Sequence, residues 1–148
     1  MSDGGTCPLC KKVAELRKSH IIPSFFGAYL KDTSATGYLR RGDTPNLRLQ
    51  DIPKEKLLCD ACEGRFAVWE KDFKENVFPV VQNDGLGELK YGPLLLPFLV
   101  SLSWRILVTQ RKLLERTHPH FVGAVSQTLE NWRLFLLGQQ KEDRKSVV

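Results

Sequence analysis

Cys59-Asp60-Ala61-Cys62-Glu63-Gly64-Arg65-Phe66-Ala67-Val68-Trp69-Glu70 is the stretch on which the fold turns. From Phe66 onward, apolar residues recur at Phe66, Trp69, Phe73 and Val77, spacings of +3, +4 and +4 that put them on one stripe of a helix. The spacing therefore predicts a helix that opens at this cysteine pair. Glu63, Ala67, Glu70 and Lys74 fall on another face, so two carboxylates stand about two turns apart on one side. A matching pair, Cys7-Pro8-Leu9-Cys10, lies 48 residues upstream, and the two pairs account for all four cysteines of the chain.

A Cys-x-x-Cys pair can offer two thiolates to one ion from a single turn, and two such turns complete a tetrahedral four-thiolate site. Zinc suits it, being borderline-soft and indifferent to ligand-field geometry. Disulfides fit less well, because a cytosolic chain keeps its thiols reduced. A redox dithiol would explain one pair beside a βαβ pattern, and no such pattern surrounds either pair. We therefore expect one structural Zn²⁺ held by Cys7, Cys10, Cys59 and Cys62, with substantial structure in the long gap between them.

Between the pairs, Ser19-His20-Ile21-Ile22-Pro23 reads as a short extended stretch, since a proline biases the residue before it away from the α region. Residues 24–31 suit a short helix with Ser24 as its N-cap. Residues 32–53, rich in Gly, Asp, Thr, Ser and Pro, read as a long mobile loop carrying Arg40, Arg41 and Arg48. A knuckle, an extended pair and a helix starting at the second knuckle describe a treble-clef zinc finger. The expected fold is thus α+β: a treble-clef (ββα-metal) module with an inserted loop over residues 1–82, and a helical extension over residues 83–148.

The break between the two parts is marked by Asn83-Asp84-Gly85, Gly87 and Tyr91-Gly92-Pro93. Beyond it come an apolar run from Leu94 to Leu114 and a second helical segment from Phe121 to Leu137. The most apolar part, residues 94–108, contains Pro97 and Arg105 and is shorter than the ~20 residues a membrane span needs, so a buried helix is expected. His118-Pro119-His120 reads as a polar turn between helices, with no further ligand near in sequence. Two helices bury little alone; they pack on the zinc module, pair with a second copy, or meet a further domain of a longer protein. A charged tail follows from Gln139 to Lys145.

The composition is that of an ordinary globular protein, with 42% hydrophobic and 26% charged residues among 148. With 22 Lys+Arg against 17 Asp+Glu the net charge is +5, compatible with a polyanionic partner. Met1 to Thr6 are small and polar and show no apolar targeting segment, so a cytoplasmic protein is expected.

Over about the first 75 residues the chain resembles the HNH endonuclease family. The resemblance is carried by Cys7, Cys10, Ser19-His20-Ile21-Ile22-Pro23 and Leu57-Leu58-Cys59-Asp60-Ala61-Cys62-Glu63. It implies a metal-dependent nuclease that hydrolyses phosphodiester bonds, in DNA before RNA, with roles in phage defence, restriction or mobile elements. It also implies that His20 is the general base, an imidazole being able to accept a proton near neutral pH. Glu63 stands where the family has its final metal-binding histidine, and could hold Mg²⁺ or Mn²⁺ through oxygen. Glu70 is a further candidate ligand, and Arg40, Arg41 and Arg48 are candidate phosphate contacts. Two positions depart from the family pattern. Ser19 replaces the acidic residue or histidine before the base, and Asn46, the one asparagine available for the middle position, lies 13 residues before Cys59. The alternative is a noncatalytic zinc module that binds nucleic acid or a protein, or a structural subunit in which the finger is only a staple.

Overall fold

The computed structural model describes residues 4–83 and 88–139. Its first strand, β1 (Gly4–Thr6), turns back through the Cys7–Cys10 knuckle into β2 (Val13–His20), which pairs antiparallel with both β1 and the later β5 (Lys54–Cys59). The knuckle closes because Lys11 adopts a positive φ of 65°, which lets its N–H donate to the Cys7 carbonyl at 2.8 Å. The expected extended stretch is therefore the end of a longer strand. Its beginning looks polar in sequence because Val13, Glu15 and Arg17 face solvent, while Ala14 and Leu16 pack against the core. An irregularity between Arg17 and Lys18 then shifts the register against β5 by one residue.

Helix α1 (Ser24–Thr33) follows Pro23, and its cap residue is that proline. Ser24 is the first helical residue and makes no capping bond, contrary to expectation, because the fixed φ of Pro23 already turns the chain into the helix. Gly27 is buried where α1 crosses Ile52; a Cβ there would come within 3.1 Å of the Ile52 side chain. Absence of a side chain thus lets α1 lie against the segment before β5. The stretch expected as one long loop is not wholly irregular: β3 (Leu39–Arg40) and β4 (Arg48–Leu49) form a small ladder. At two residues each, these strands are too short to show alternation in sequence.

Helix α2 (Asp60–Asp72) begins at once after Cys59, as the apolar spacing requires, and Phe66 and Val77 of the stripe are buried. It runs on through a π turn, Phe73–Val77, into the short α3 (Phe78–Val81). Pro79 accounts for the π turn: in an unbroken α-helix its ring would meet the carbonyl of Glu75, and the wider i→i−5 bond from Phe78 N–H to Phe73 O moves the chain aside.

The long helix α4 (Leu95–Thr117) and α5 (Val122–Leu136) are joined by a single 3₁₀ turn, Pro119–Phe121, which contains the expected polar turn. No helix among the described residues is long and apolar enough to cross a membrane. Only one face of α4 is buried, through Phe98, Ser101, Trp104 and Arg105; Leu96, Leu99, Ile106 and Leu113 are exposed. The helical part packs on the cysteine part. Trp104, Leu129 and Leu136 share one core with Cys7, Leu9, Leu57, Leu58, Cys59, Cys62 and Phe66. Polar clamps reinforce the junction, with Arg133 Nη1 donating to the Leu9 carbonyl (2.9 Å) and Arg65 Nη1 to that of Leu136 (3.1 Å). Asp84, Gly85 and Gly87 of the expected break, and the tail from Gln140, lie outside the described residues.

One shared core implies one cooperative unit. Trp104 is 1% exposed and meets Phe66 edge-on at 6.2 Å, so Trp104→Ala is expected to lower stability by about 3–5 kcal/mol. In a urea titration followed by far-UV circular dichroism and by metal release, both signals should move together to a lower midpoint; separate transitions would mean that the two parts fold independently.

Candidate functional site

The four cysteines converge. Their sulfurs lie within 4.8 Å of one another, and those of Cys10 and Cys59 are 3.7 Å apart. A tetrahedral ion with metal–sulfur bonds of ~2.3 Å has edges of about 3.8 Å, so the spacing fits a four-thiolate centre. All four are free thiols. The arrangement follows from local structure: the β1–β2 turn presents Cys7 and Cys10, while Cys59 ends β5 and Cys62 occupies the first turn of α2. It is the only such group of potential metal ligands among the described residues.

Electrostatics makes the same demand for a cation. Burial opposes ionisation of Cys7, but the backbone N–H groups of Cys10, Cys59 and Leu9 and the Cys10 thiol outweigh it and bring the pKa down to about 7. Cys62 moves far the other way, through burial first and then through the Cys59 thiol and the charge on Cys7; Cys59 is also raised, chiefly by burial. Four thiolates cannot share this pocket unaided. A divalent ion would supply the compensating charge, and the donor set fits a structural metal.

A second cluster sits where β2 ends. The register irregularity at Arg17/Lys18 turns Ser19 inward, where it is 2% exposed, and its hydroxyl donates to the Glu63 carboxylate in the first turn of α2. His20 is the last residue of β2, and its Nε2 lies 3.2 Å from Asp51 Oδ2. Asp51 is drawn down to about 2 by the Lys54 ammonium, 2.9 Å away, and by His20. As an ionised carboxylate it can only accept, so a neutral His20 ring must carry its proton on Nε2 and keep the Nδ1 lone pair free. Cross-strand neighbours make this surface cationic: Lys18 pairs with Lys56 and His20 with Lys54 in the β2–β5 register. Lys18 and Lys56 are like charges placed opposite each other, which costs stability, whereas Lys54 is paired with Asp51.

Behind the strand end stands Arg105 of α4, 2% exposed. Its Nη1 donates to the His20 carbonyl (3.0 Å), its Nη2 lies 2.6 Å from Glu70 Oε1, and the guanidinium sits 5.3 Å from the Phe66 ring centroid. Nε has no acceptor, and the Nη2 contact is an ion pair rather than a well-directed hydrogen bond. Glu70 is thus the counter-ion of Arg105.

The candidate phosphate contacts lie in the β3–β4 hairpin and are engaged within it. Arg40 donates to the Pro45 carbonyl, Arg41 pairs with Asp43, and Arg48 lies over the Tyr38 ring. Sequence reasoning passed over Asp51, Lys18, Lys56 and the buried role of Arg105. A lone arginine inside an apolar run was the available sign for the last. The others depend on strand register, which the sequence does not display. No protein-family model, curated protein or solved structure matches this chain.

The centre makes a direct prediction. Native mass spectrometry should find about one divalent ion per chain, and Cys62→Ser should lose it and most of its thermal stability. A wild-type protein equally stable with and without chelator would refute the metal centre.

Proposed function

We propose that the chain is a zinc-stapled, HNH-like nuclease that hydrolyses phosphodiester bonds in nucleic acid, DNA foremost. The observation that carries this reading is the meeting of Ser19 and Glu63, 44 residues apart. These are the two positions at which the family resemblance expects ligands for a catalytic ion; the candidate base, His20, is the next residue along the strand and faces its other side. The zinc belongs to the four-cysteine centre, whose all-sulfur tetrahedral set suits that ion best.

His20 acts as the base. Asp51 holds its Nε2–H, so Nδ1 is the nitrogen that takes the proton from the attacking water. The same contact gives the imidazolium formed a carboxylate counter-charge, solvent-exposed here. Lys18, Lys54 and Lys56 hold the polyanion against the strand face, a sequence-independent attraction that falls with salt. Glu63 and the Ser19 hydroxyl are hard oxygen donors of the kind that would suit a Mg²⁺ or Mn²⁺. Such an ion would supply charge stabilisation at the phosphate and the leaving oxygen. Since Ser19 and Glu63 satisfy each other, a noncatalytic nucleic-acid-binding module is the second reading.

Plasmid nicking with Mg²⁺ or Mn²⁺ separates the two. Wild-type protein should nick, and His20→Ala should be slower by about 100-fold or more with the zinc content unchanged. Binding of plasmid without cleavage under either ion would leave the noncatalytic module.

A further inference from the structure

A cavity of about 690 Å³ opens beside the His20–Asp51 pair, between α1, the helical turn at residues 73–81 and the segment leading into β5. Asp51 lines it, so the carboxylate that holds His20 is also part of its wall. Aromatic rings form one side. Phe25 and Phe78 pack at 5.1 Å between centroids, and Tyr29 stands edge-on to Phe78 at 5.5 Å. Tyr29 is 38% exposed and so offers ring surface to a ligand. Lys31 and Lys74 stand at the wall with Asp32 and Asp51, two cations against two carboxylates.

Asp51 is already paired with Lys54, so a bare phosphate would use only the lysines of this wall. A nucleotide uses every part: a base stacks on the aromatic side, its exocyclic amine or ring N–H donates to a carboxylate, and the phosphodiester runs toward a lysine. A duplex keeps its bases stacked inside and cannot present one here without extruding it, at a cost of a few kcal/mol. The volume is ample for one nucleotide, and the neighbouring cationic strand face continues the path for the backbone.

We propose that this cavity seats an unpaired nucleobase, so that the substrate is single-stranded or locally unpaired nucleic acid. The inference rests on the nucleic-acid reading above but not on cleavage. It is tested with zinc-loaded protein, without Mg²⁺ or Mn²⁺, by fluorescence anisotropy of a labelled oligothymidylate strand and of a blunt-ended two-strand duplex of matched length. The strand should bind more tightly than the duplex. Tyr29→Ala should weaken strand binding roughly tenfold, Tyr29→Phe should retain it, and Lys74→Glu should weaken it with a shallower salt dependence. Duplex affinity should stay unchanged in Tyr29→Ala, which also shows that the fold is intact. Equal affinity for strand and duplex, strand binding indifferent to both Tyr29→Ala and Lys74→Glu, or no binding of either probe would overturn the inference. Tyr29-dependent strand binding by a protein that never nicks plasmid would sustain it and remove only the nuclease.

Discussion

Four sulfurs drawn from two distant turns are the constraint around which the molecule is arranged. Cys7 and Cys10 come from a β-turn and Cys59 and Cys62 from a strand–helix junction, yet the sulfurs meet within 4.8 Å. Closing a loop of that length costs chain entropy that the small three-stranded sheet is poorly placed to offset alone. An ion bound by all four sulfurs would return that cost as binding free energy, because no preformed site exists in the unfolded chain. It would also fix α2 against β2, and with α2 the facing positions of Glu63 and Ser19. The insertion between the pairs can therefore carry α1, the β3–β4 hairpin and the Asp51 segment without loosening the joint.

What could be read from the chain beforehand follows the range of the interactions involved. Ligand spacing and a helical stripe are local, so the cysteine centre was legible from residues 7–10 and 59–62 and the start of α2 from residues 59–77. The strand from Val13 was not, because its outer face is polar and its inner face holds only Ala14 and Leu16 before the register shifts. Glu70 looked like a partner of Glu63 because helical spacing puts them on one side. Arg105 arrives from a helix 35 residues later and takes Glu70 as its counter-ion. Asp51 likewise reaches His20 through strand pairing, across 31 residues. Charged contacts of this kind depend on tertiary placement and leave no periodic trace.

Arg105 shows why the helical part cannot be regarded as an appendage. A buried guanidinium needs its charge compensated, and here the counter-charge comes from α2 and one acceptor from the end of β2, while Nε stays without an acceptor. Such a pair adds little net stability compared with apolar packing, but removing one partner strands the other in a dry interior. It therefore acts as a directional tie: α4 has one seat on the module at which Glu70 and the His20 carbonyl are both in reach. The knuckle is held from the far side in a similar way, by Arg133 on the Leu9 carbonyl.

The register shift at Arg17/Lys18 determines how the two halves of the candidate site divide. The extra residue is Leu57 of β5, between the partners of Arg17 and Lys18. Along β2, Arg17 and Lys18 are both exposed, Ser19 is buried against Glu63, and His20 meets Asp51. The hydroxyl–carboxylate pair and the imidazole thus come from adjacent residues yet occupy different environments, one enclosed beneath the strand and one on its more exposed side. Neither can be repositioned alone, because any change in strand register that moves His20 also withdraws Ser19 from Glu63. The geometry of the candidate site is in this sense a property of the β2–β5 pairing, and the sulfur centre at the far end of the same two strands is what holds that pairing in register.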